Sequence, residues 1–552
     1  MKKNNFVSGA FVATVGIITC KILGLAYVIP FYKIIGTQGG ALYSYAYSIY
    51  AVFLNISTAG IPTAISKIVS EYNALNQEYL QKRTFQIASK LLNIVGIVAF
   101  VILFIFSDLF ANLIIGGVDG GNTVKDVSVA IKIVSLALIV VPKLSILRGY
   151  FQGNKYITQS SLSSVIEQLA RVLIIVLGSF ISVKIFHTPV KIAVYIAIFG
   201  ATVGAFVSYI YLKSKTKKIS NYKKDDKNNE KQIEIDNKFL LKKIVLYAVP
   251  FVLINLLQSA YSVVDTFTVV KTMTALGYST KIAETTIGVL NTWGSKLNMI
   301  VVSISLGLIV SLIPNVSASY AKKNYKDINN KINQTIKILL FTTLPMAFGI
   351  SILAAPIWTV FYGYDSVSVS IFSIFILQVV FYSLYTTLIN ITQATNQTKI
   401  SLGILLLSFI FKLALNIPMM KLLYYCGLES YYAPPITNAI VESSAILVIL
   451  FILKKKYNFS YRETIKPILK VIFCLLVMII TLILLKKVYF SAEGIINSIL
   501  TILMFSIVGA AVYILTSYKT NLFTEIFGDN FINDVKSKFL KKKKGGNRWK
   551  KV

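Results

Sequence analysis

The chain has 552 residues, of which 55% are hydrophobic and 14% are charged, with a formal net charge of +34. So few charged residues exclude an ordinary soluble protein, and the absence of alternating ten-residue segments argues against an outer-membrane barrel. The basic residues stand in short segments between apolar stretches, where they act as orientation signals, so no nucleic-acid partner is expected.

Apolar stretches of about 20 residues recur along the chain, which is the length a helix needs to cross a bilayer. They predict an all-α integral membrane protein with about fourteen transmembrane helices. The predicted spans lie near residues 7–34, 41–66, 87–107, 128–147, 160–182, 186–212, 243–270, 287–314, 335–355, 367–389, 400–422, 434–453, 468–486 and 494–517.

Loop charges predict the orientation of these spans. Most of the 56 Lys and Arg residues fall at the two ends of the chain and in every second loop. Because positive residues collect on the cytoplasmic side, both termini are predicted to be cytoplasmic. The basic insert 213–242 is predicted to be a solvated linker or to lie on anionic lipid headgroups, and 518–552 a basic cytoplasmic tail.

Two pairs of short motifs indicate an internal repeat. GIPTAIS at 60–66 matches LIPNVS at 312–317, and FQGN at 151–154 matches TQATN at 392–396, at similar offsets. The repeat predicts two lobes of six helices around a central cavity, followed by two extra helices. The predicted domains are listed here in chain order: 1–212 with helices 1–6, the linker 213–242, 243–453 with helices 7–12, 454–517 with helices 13–14, and the tail 518–552.

Basic residues inside the spans are the first candidate site residues, because an ionisable group in a bilayer usually faces a cavity or a partner. Lys21 lies in the middle of the first span and Lys296 within the eighth. Each is predicted to be either a cavity cation or half of a structural ion pair. Lys33 lies near the outer end of the first span, where it either lines the cavity or extends to the interface.

Acidic residues and further polar residues supply coupling or gating candidates. Glu167 and Arg171 share one helical face at i, i+4, where they either neutralise each other or contribute a cavity cation. Polar stripes place Asp265 in the seventh span, Lys412 and Asn416 in the eleventh, and Glu442 in the twelfth. Either Asp265 or Glu442 pairs with Lys412, or one of these acids binds a proton or Na⁺.

Enzyme motifs are missing from the sequence. It contains no Walker A, GxSxG or HExxH pattern, and a single histidine, His187. Three cysteines at positions 20, 426 and 474 lack metal-ligand spacing. The chain is therefore predicted to be a transporter without a catalytic site, metal or other cofactor, apart from possible coupling to Na⁺, protons or the membrane potential.

Several motifs resemble the polysaccharide-export and lipid II flippase branch of the MOP superfamily. They are KILGL at 21–25, STAGIPTAISKIVSEY at 57–72, LRGYFQGN at 147–154, VIEQLARV at 165–172 and DTFT at 265–268. The stretches LRGYFQGN and VIEQLARV are especially similar to the stage V sporulation protein B group of Gram-positive bacteria. Fourteen spans are typical of MurJ-type members.

This resemblance implies a flippase that works by alternating access, acts as a monomer in the cell membrane of a Gram-positive-like bacterium, and contacts membrane lipids. Its implied cargo is an undecaprenyl-pyrophosphate-linked glycan such as the peptidoglycan precursor lipid II. By this resemblance, Lys21 aligns with a family arginine just before the Leu-Gly pair, and Lys296 aligns with a cavity arginine of the eighth span. The implied roles are growth, sporulation or capsule export.

The sequence departs from the family in three places. The arginines that MurJ-type chains carry in the second span are not matched here. Tyr27 and Val28 stand where MurJ-type chains have an Arg-Asp pair, and Lys412 stands near an acid that binds Na⁺ in some members. Either Asp265 still binds an ion or Lys412 replaces the ion as a fixed counter-charge. Two other functions stay open at this point: a cation-coupled multidrug exporter of the same superfamily, and a scaffold for envelope assembly that transports nothing.

Overall fold

The computed structural model describes residues 6–58, 61–75, 77–118, 120–222 and 236–527, which form helices and turns with no strand among them. The first ten helices are α1 Phe6–Ala26, α2 Val28–Thr58, α3 Ile61–Ala74, α4 Glu78–Ile105, α5 Ser107–Ile115, α6 Val124–Ser135, α7 Ala137–Gly153, α8 Ile157–Leu173, α9 Val190–Tyr222 and α10 Asn237–Ala275. The others are α11 Thr280–Ile287, α12 Gly294–Ala321, α13 Tyr325–Ile352, α14 Ala354–Tyr362, α15 Ser366–Ala394, α16 Thr398–Tyr425, α17 Ala433–Tyr457, α18 Arg462–Val488, α19 Ile495–Lys519 and α20 Leu522–Phe527.

The predicted all-α membrane fold is confirmed, and the count of fourteen spans is approximate. Among the described residues, 12 helical segments are long and apolar enough to cross a membrane, and one bent pair of helices raises the number to 13. Several of these segments join two helices. Residues 157–185 join α8 to two π-helical turns, and residues 280–309 join α11, a π-helical turn and α12.

The start of the chain differs from the predicted spans. Helical geometry is interrupted at Gly36, inside the predicted break at residues 35–40 between the first two spans. The chain is also broken between α1, which ends at Ala26, and α2, which begins at Val28, within the predicted first span 7–34. Gly36 has φ 64° and ψ −165°, which glycine adopts without the steric penalty of a side chain. Pro30 is tolerated because it lies in the first turn of α2, where backbone N–H groups lack helical partners.

The basic insert is more helical at its edges than predicted. Helix α9 continues to Tyr222 and α10 begins at Asn237, so only residues 223–235 of the predicted linker lie outside the described residues. In the predicted tail, α19 ends at Lys519 and the short helix α20 follows. The rest of the tail, from residue 528, also lies outside the described residues.

The chain divides into two compact units. Unit 1 comprises residues 1–297 and 398–438, and unit 2 comprises residues 298–397 and 439–552. This division follows packing and places α10 and α16 with the first nine helices. The predicted lobes 1–212 and 243–453 follow the sequence repeat instead, and they stay a prediction.

Each unit contains a similar hydrogen bond close to the repeated motifs. In unit 1, Ser70 Oγ of α3 donates to the carbonyl of Gly153 at the end of α7, at 3.0 Å. In unit 2, Ser317 Oγ of α12 donates to the carbonyl of Ala394 at the end of α15, at 3.2 Å. In both units a serine therefore caps a carbonyl at the end of a neighbouring helix.

Candidate functional site

Unit 1 brings the two predicted lysines together. Lys21 projects from α1 and Lys296 from the first turn of α12, both half-buried, and their ammonium groups are close enough to repel each other. The ammonium of Lys296 also lies 5.9 Å from the centre of the Tyr27 ring. Neither lysine forms an ion pair with any acid in the described ranges. Their positive charge is therefore uncompensated, which suits an anionic ligand.

An aromatic cluster packs beside this lysine pair. Trp293, in the π-helical turn before α12, packs edge-on against Tyr32 at 4.9 Å and lies 5.9 Å from Phe31. A Cβ at Gly40 would lie only 2.2 Å from Trp293 Nε1, so only glycine allows α2 this close. π-Helical turns are rare and are frequently found at functional sites. Sequence analysis missed this turn, because its residues carry no motif.

A second basic cluster joins α7 and α8. Glu167 Oε2 accepts from Arg148 Nη2 at 2.7 Å, and its Oε1 lies 3.4 Å from Arg171 Nη2. Arg148 Nε also donates to Ser163 Oγ at 2.9 Å. The predicted pair Glu167–Arg171 is thus confirmed, but one carboxylate serves two guanidinium groups and the cluster keeps a net positive charge.

The helices hold this cluster next to Lys21. A Cβ at Gly24 of α1 would lie 3.4 Å from Gln168 Nε2 of α8, so the two helices pack closely. The Cys20 side chain, one residue before Lys21, lies within the electrostatic field of Glu167 and Arg148. Arg171 in turn faces the buried phenols of Tyr43, Tyr47 and Tyr50 on α2. Cations from α1, α7, α8 and α12 therefore belong to one region of unit 1.

Removing the Glu167 carboxylate tests whether it neutralises this cluster. Glu167→Ala is expected to lower the free energy of unfolding by about 2 kcal/mol, because two half-buried guanidinium groups lose their charged acceptor. Thermal unfolding of the detergent-purified protein measures the change. Glu167→Gln retains one acceptor oxygen and serves as the matched variant, with a smaller expected loss. Wild-type stability in Glu167→Ala would contradict this role.

The polar stripes of α10 and α16 meet in a fully buried ion pair. Lys412 Nζ lies 2.8 Å from Asp265 Oδ1, with side-chain exposures of 0% and 5%. The ammonium also donates to Asn416 Oδ1 at 2.9 Å and to the Pro434 carbonyl at 3.2 Å. Asn416 Nδ2 closes the ring of contacts by donating to Asp265 Oδ1 at 3.1 Å. Of the two predicted partners of Lys412, the structure selects Asp265.

Two other predicted residues lie elsewhere. Glu442 is buried in unit 2, where both of its carboxylate oxygens accept from Gln378 Nε2 at 2.7 Å. The acid that contacts Lys412 is Asp265. Lys33 is exposed on α2, as expected for a side chain that extends to the interface. Its predicted role as a cavity cation stays a prediction.

Sequence analysis also missed Arg148, Tyr27 and Glu284 as site residues. Arg148 lies in the motif LRGYFQGN, but its position after the predicted fourth span assigned its charge to a loop. Glu284 falls just before the predicted eighth span, yet it is buried. Its Oε1 accepts from the backbone N–H and the side-chain amide of Asn122, at 2.9 and 2.8 Å.

Comparisons with known proteins identify the family. The polysaccharide biosynthesis protein family model matches residues 6–319, and the lipid II flippase MurJ model matches residues 292–505. The chain is 31% identical to lipid II flippase MurJ of Bacillus subtilis (strain 168) over 538 residues, covering 95% of this chain and 97% of the relative. It is 22% identical to stage V sporulation protein B of the same organism, covering 67% of this chain and 69% of the relative.

A solved structure supports the fold. Lipid II flippase MurJ in an inward closed conformation has a TM-score of 0.67 and 16% identity, covering 94% of this chain and 100% of the solved chain. The predicted resemblance to the MOP superfamily branch is therefore confirmed. The match to MurJ is stronger than the match to stage V sporulation protein B, both in sequence identity and in the share of the chain that is covered.

Proposed function

Because the chain belongs to the MurJ family of lipid II flippases, we propose that it moves lipid II, a pyrophosphate-linked glycolipid, across the cytoplasmic membrane. The structural observation that carries this proposal is the pair of neighbouring lysines, Lys21 and Lys296, without an acidic partner in the described part of the chain. Two ammonium groups are point charges that attract a pyrophosphate and do not read the attached sugar.

The residues around the lysine pair adjust the positive charge of the site. Arg148 and Arg171 add positive charge beside the lysines, while Glu167 limits it. The ring face of Tyr27 stabilises the Lys296 ammonium by a cation–π contact. The headgroup is thus held by charge and released as the two ends of the cavity open in turn. No step makes or breaks a covalent bond, so the protein acts as a transporter and not as an enzyme.

The energy source is a separate part of the proposal. Asp265, Asn416 and the Pro434 carbonyl form an oxygen-rich, buried set of ligands of the kind that suits Na⁺. The Lys412 ammonium already contacts all three of these groups. Na⁺ therefore does not fit this position, and Lys412 acts as a tethered cation in its place. We infer that transport does not depend on a Na⁺ gradient.

The wider setting is also part of the proposal, and the loop charges and family membership support it. Both termini face the cytoplasm of a Gram-positive-like bacterium, and the functional unit is a monomer that contacts membrane lipids. Neither a metal nor an organic cofactor takes part.

Reconstitution tests the cargo. Purified protein in liposomes is expected to move fluorescent lipid II between leaflets, with similar rates in sodium and choline buffers. A phospholipid with the same fluorophore is the control and should not move. Transport of small cationic drugs without movement of lipid II would instead show a multidrug exporter. Absence of any transport, in protein that retains its fold, would favour the scaffold.

A further inference from the structure

A groove of about 740 Å³ opens between the first halves of α4 and α10 in unit 1. Its walls are tied together, because Arg83 Nε of α4 donates to Asn237 Oδ1 of α10 at 2.8 Å. Behind the groove, Leu92 of α4 and Leu240 and Ile244 of α10 share one buried core. The groove therefore has a fixed shape set by helix packing.

Positive charge lines one end of the groove without an acidic counterpart. Arg83 and Lys90 lie two turns apart on the same face of α4, about 10 Å along the helix axis. No acid lines the groove within the described part of the chain. The nearby Glu71 is already paired with Lys243 at 2.8 Å. The cations of the groove are thus available to an outside anion.

The other end of the groove is apolar and continues into the lipid-facing surface. Leu91 and Leu241 line the groove, and Ile94, one turn beyond Lys90, is 62% exposed. The exposed stripe continues along α4 through Val98 to Ile105, at i+4 and i+11 from Ile94. A spanning helix with such a stripe faces acyl chains. Arg83 and Lys90 therefore lie at the level where lipid headgroups meet the hydrocarbon.

We propose that this groove binds a resident phospholipid with an anionic headgroup. Its phosphate lies between Arg83 and Lys90, and one acyl chain follows Ile94 and Val98. This ligand is not the transported glycolipid, and the inference does not rest on the proposed cargo. A bound lipid here would brace α4 against α10 at their basic ends.

Native mass spectrometry of the full chain tests the proposal by counting retained lipids. Protein purified from vesicles of phosphatidylglycerol and phosphatidylcholine is expected to retain phosphatidylglycerol. Arg83→Gln/Lys90→Gln should weaken this retention about tenfold or more, because two charge-assisted hydrogen bonds are lost. Lys454→Gln/Lys455→Gln removes the same charge from exposed positions at the end of α17 and is the matched control.

A second variant tests the shape of the site without changing its charge. Ser89 lines the groove, so Ser89→Trp should fill it and also reduce retention. Equal retention in wild type and in both groove variants would overturn the proposal. So would one-for-one displacement of phosphatidylglycerol by lipid II, because the groove would then serve the cargo. A third outcome would also overturn the proposal: wild type that retains no phosphatidylglycerol, and Asp225→Asn/Asp226→Asn that does. It would show that the acidic part of the linker occupies the groove.

Discussion

Replacing both Lys21 and Lys296 with glutamine is expected to reduce lipid II flipping in liposomes by at least about 100-fold. Each ammonium supplies a charge-assisted contact to the pyrophosphate, and two lost contacts of about 2 kcal/mol each correspond to a loss of this size or larger. The fold should remain, because neither lysine forms an ion pair with a described acid and removing one relieves their mutual repulsion. Flipping of fluorescent lipid II, normalised to the amount of folded protein, measures the effect.

Two control variants separate charge at this site from charge in general. Lys21→Arg/Lys296→Arg should keep most of the activity, since guanidinium groups also bind phosphate. Lys421→Gln/Lys487→Gln removes the same net charge from exposed positions on α16 and α18 and should leave flipping near the wild-type rate. Wild-type flipping by Lys21→Gln/Lys296→Gln would show that the lysine pair does not hold the cargo.

Lys412→Met is expected to lower the free energy of unfolding by about 3–5 kcal/mol, because it leaves the buried Asp265 carboxylate without its cation. The double variant Lys412→Met/Asp265→Asn should recover much of this loss, because it buries no uncompensated charge. Thermal unfolding of the four proteins of this double-mutant cycle gives the coupling between the two residues. Additive losses would show that the pair is not coupled.

Sodium dependence tests the tethered cation independently. Sodium chloride, compared with choline chloride at equal ionic strength, is expected to leave the unfolding temperature of the wild type unchanged. It should raise that of Lys412→Ala, where Asp265, Asn416 and the Pro434 carbonyl lose their ammonium and leave room for an ion. Stabilisation of the wild type by sodium would place a free ion in the site and contradict the proposal.

Local patterns were enough to predict most of the architecture. Apolar stretches of about 20 residues identified the spanning helices because a bilayer imposes one length on every crossing. The exception at the start of the chain has a simple cause. Hydropathy does not detect the break between α1 and α2 at Tyr27, because apolar residues stand on both sides of it.

Candidate charges were also found from sequence, since any ionisable group within an apolar stretch is conspicuous. Periodicity placed Asp265, Lys412 and Asn416 on polar helical faces, but periodicity along one helix carries no information about the helix opposite. Glu442 was therefore an equal candidate for pairing with Lys412. Only the packing of α10 against α16 chose Asp265, and Gln378 engages Glu442 instead.

Arg148 shows the same limit most clearly. At the end of a span it is indistinguishable from an orientation charge, whereas the structure places it 2.7 Å from Glu167 and makes it part of the basic region beside Lys21. Hydrophobic length and helical period act along the chain, so spans, faces and buried charges can be read from it. Pairing between charges depends on distances across helices, and these exist only once the helices have packed.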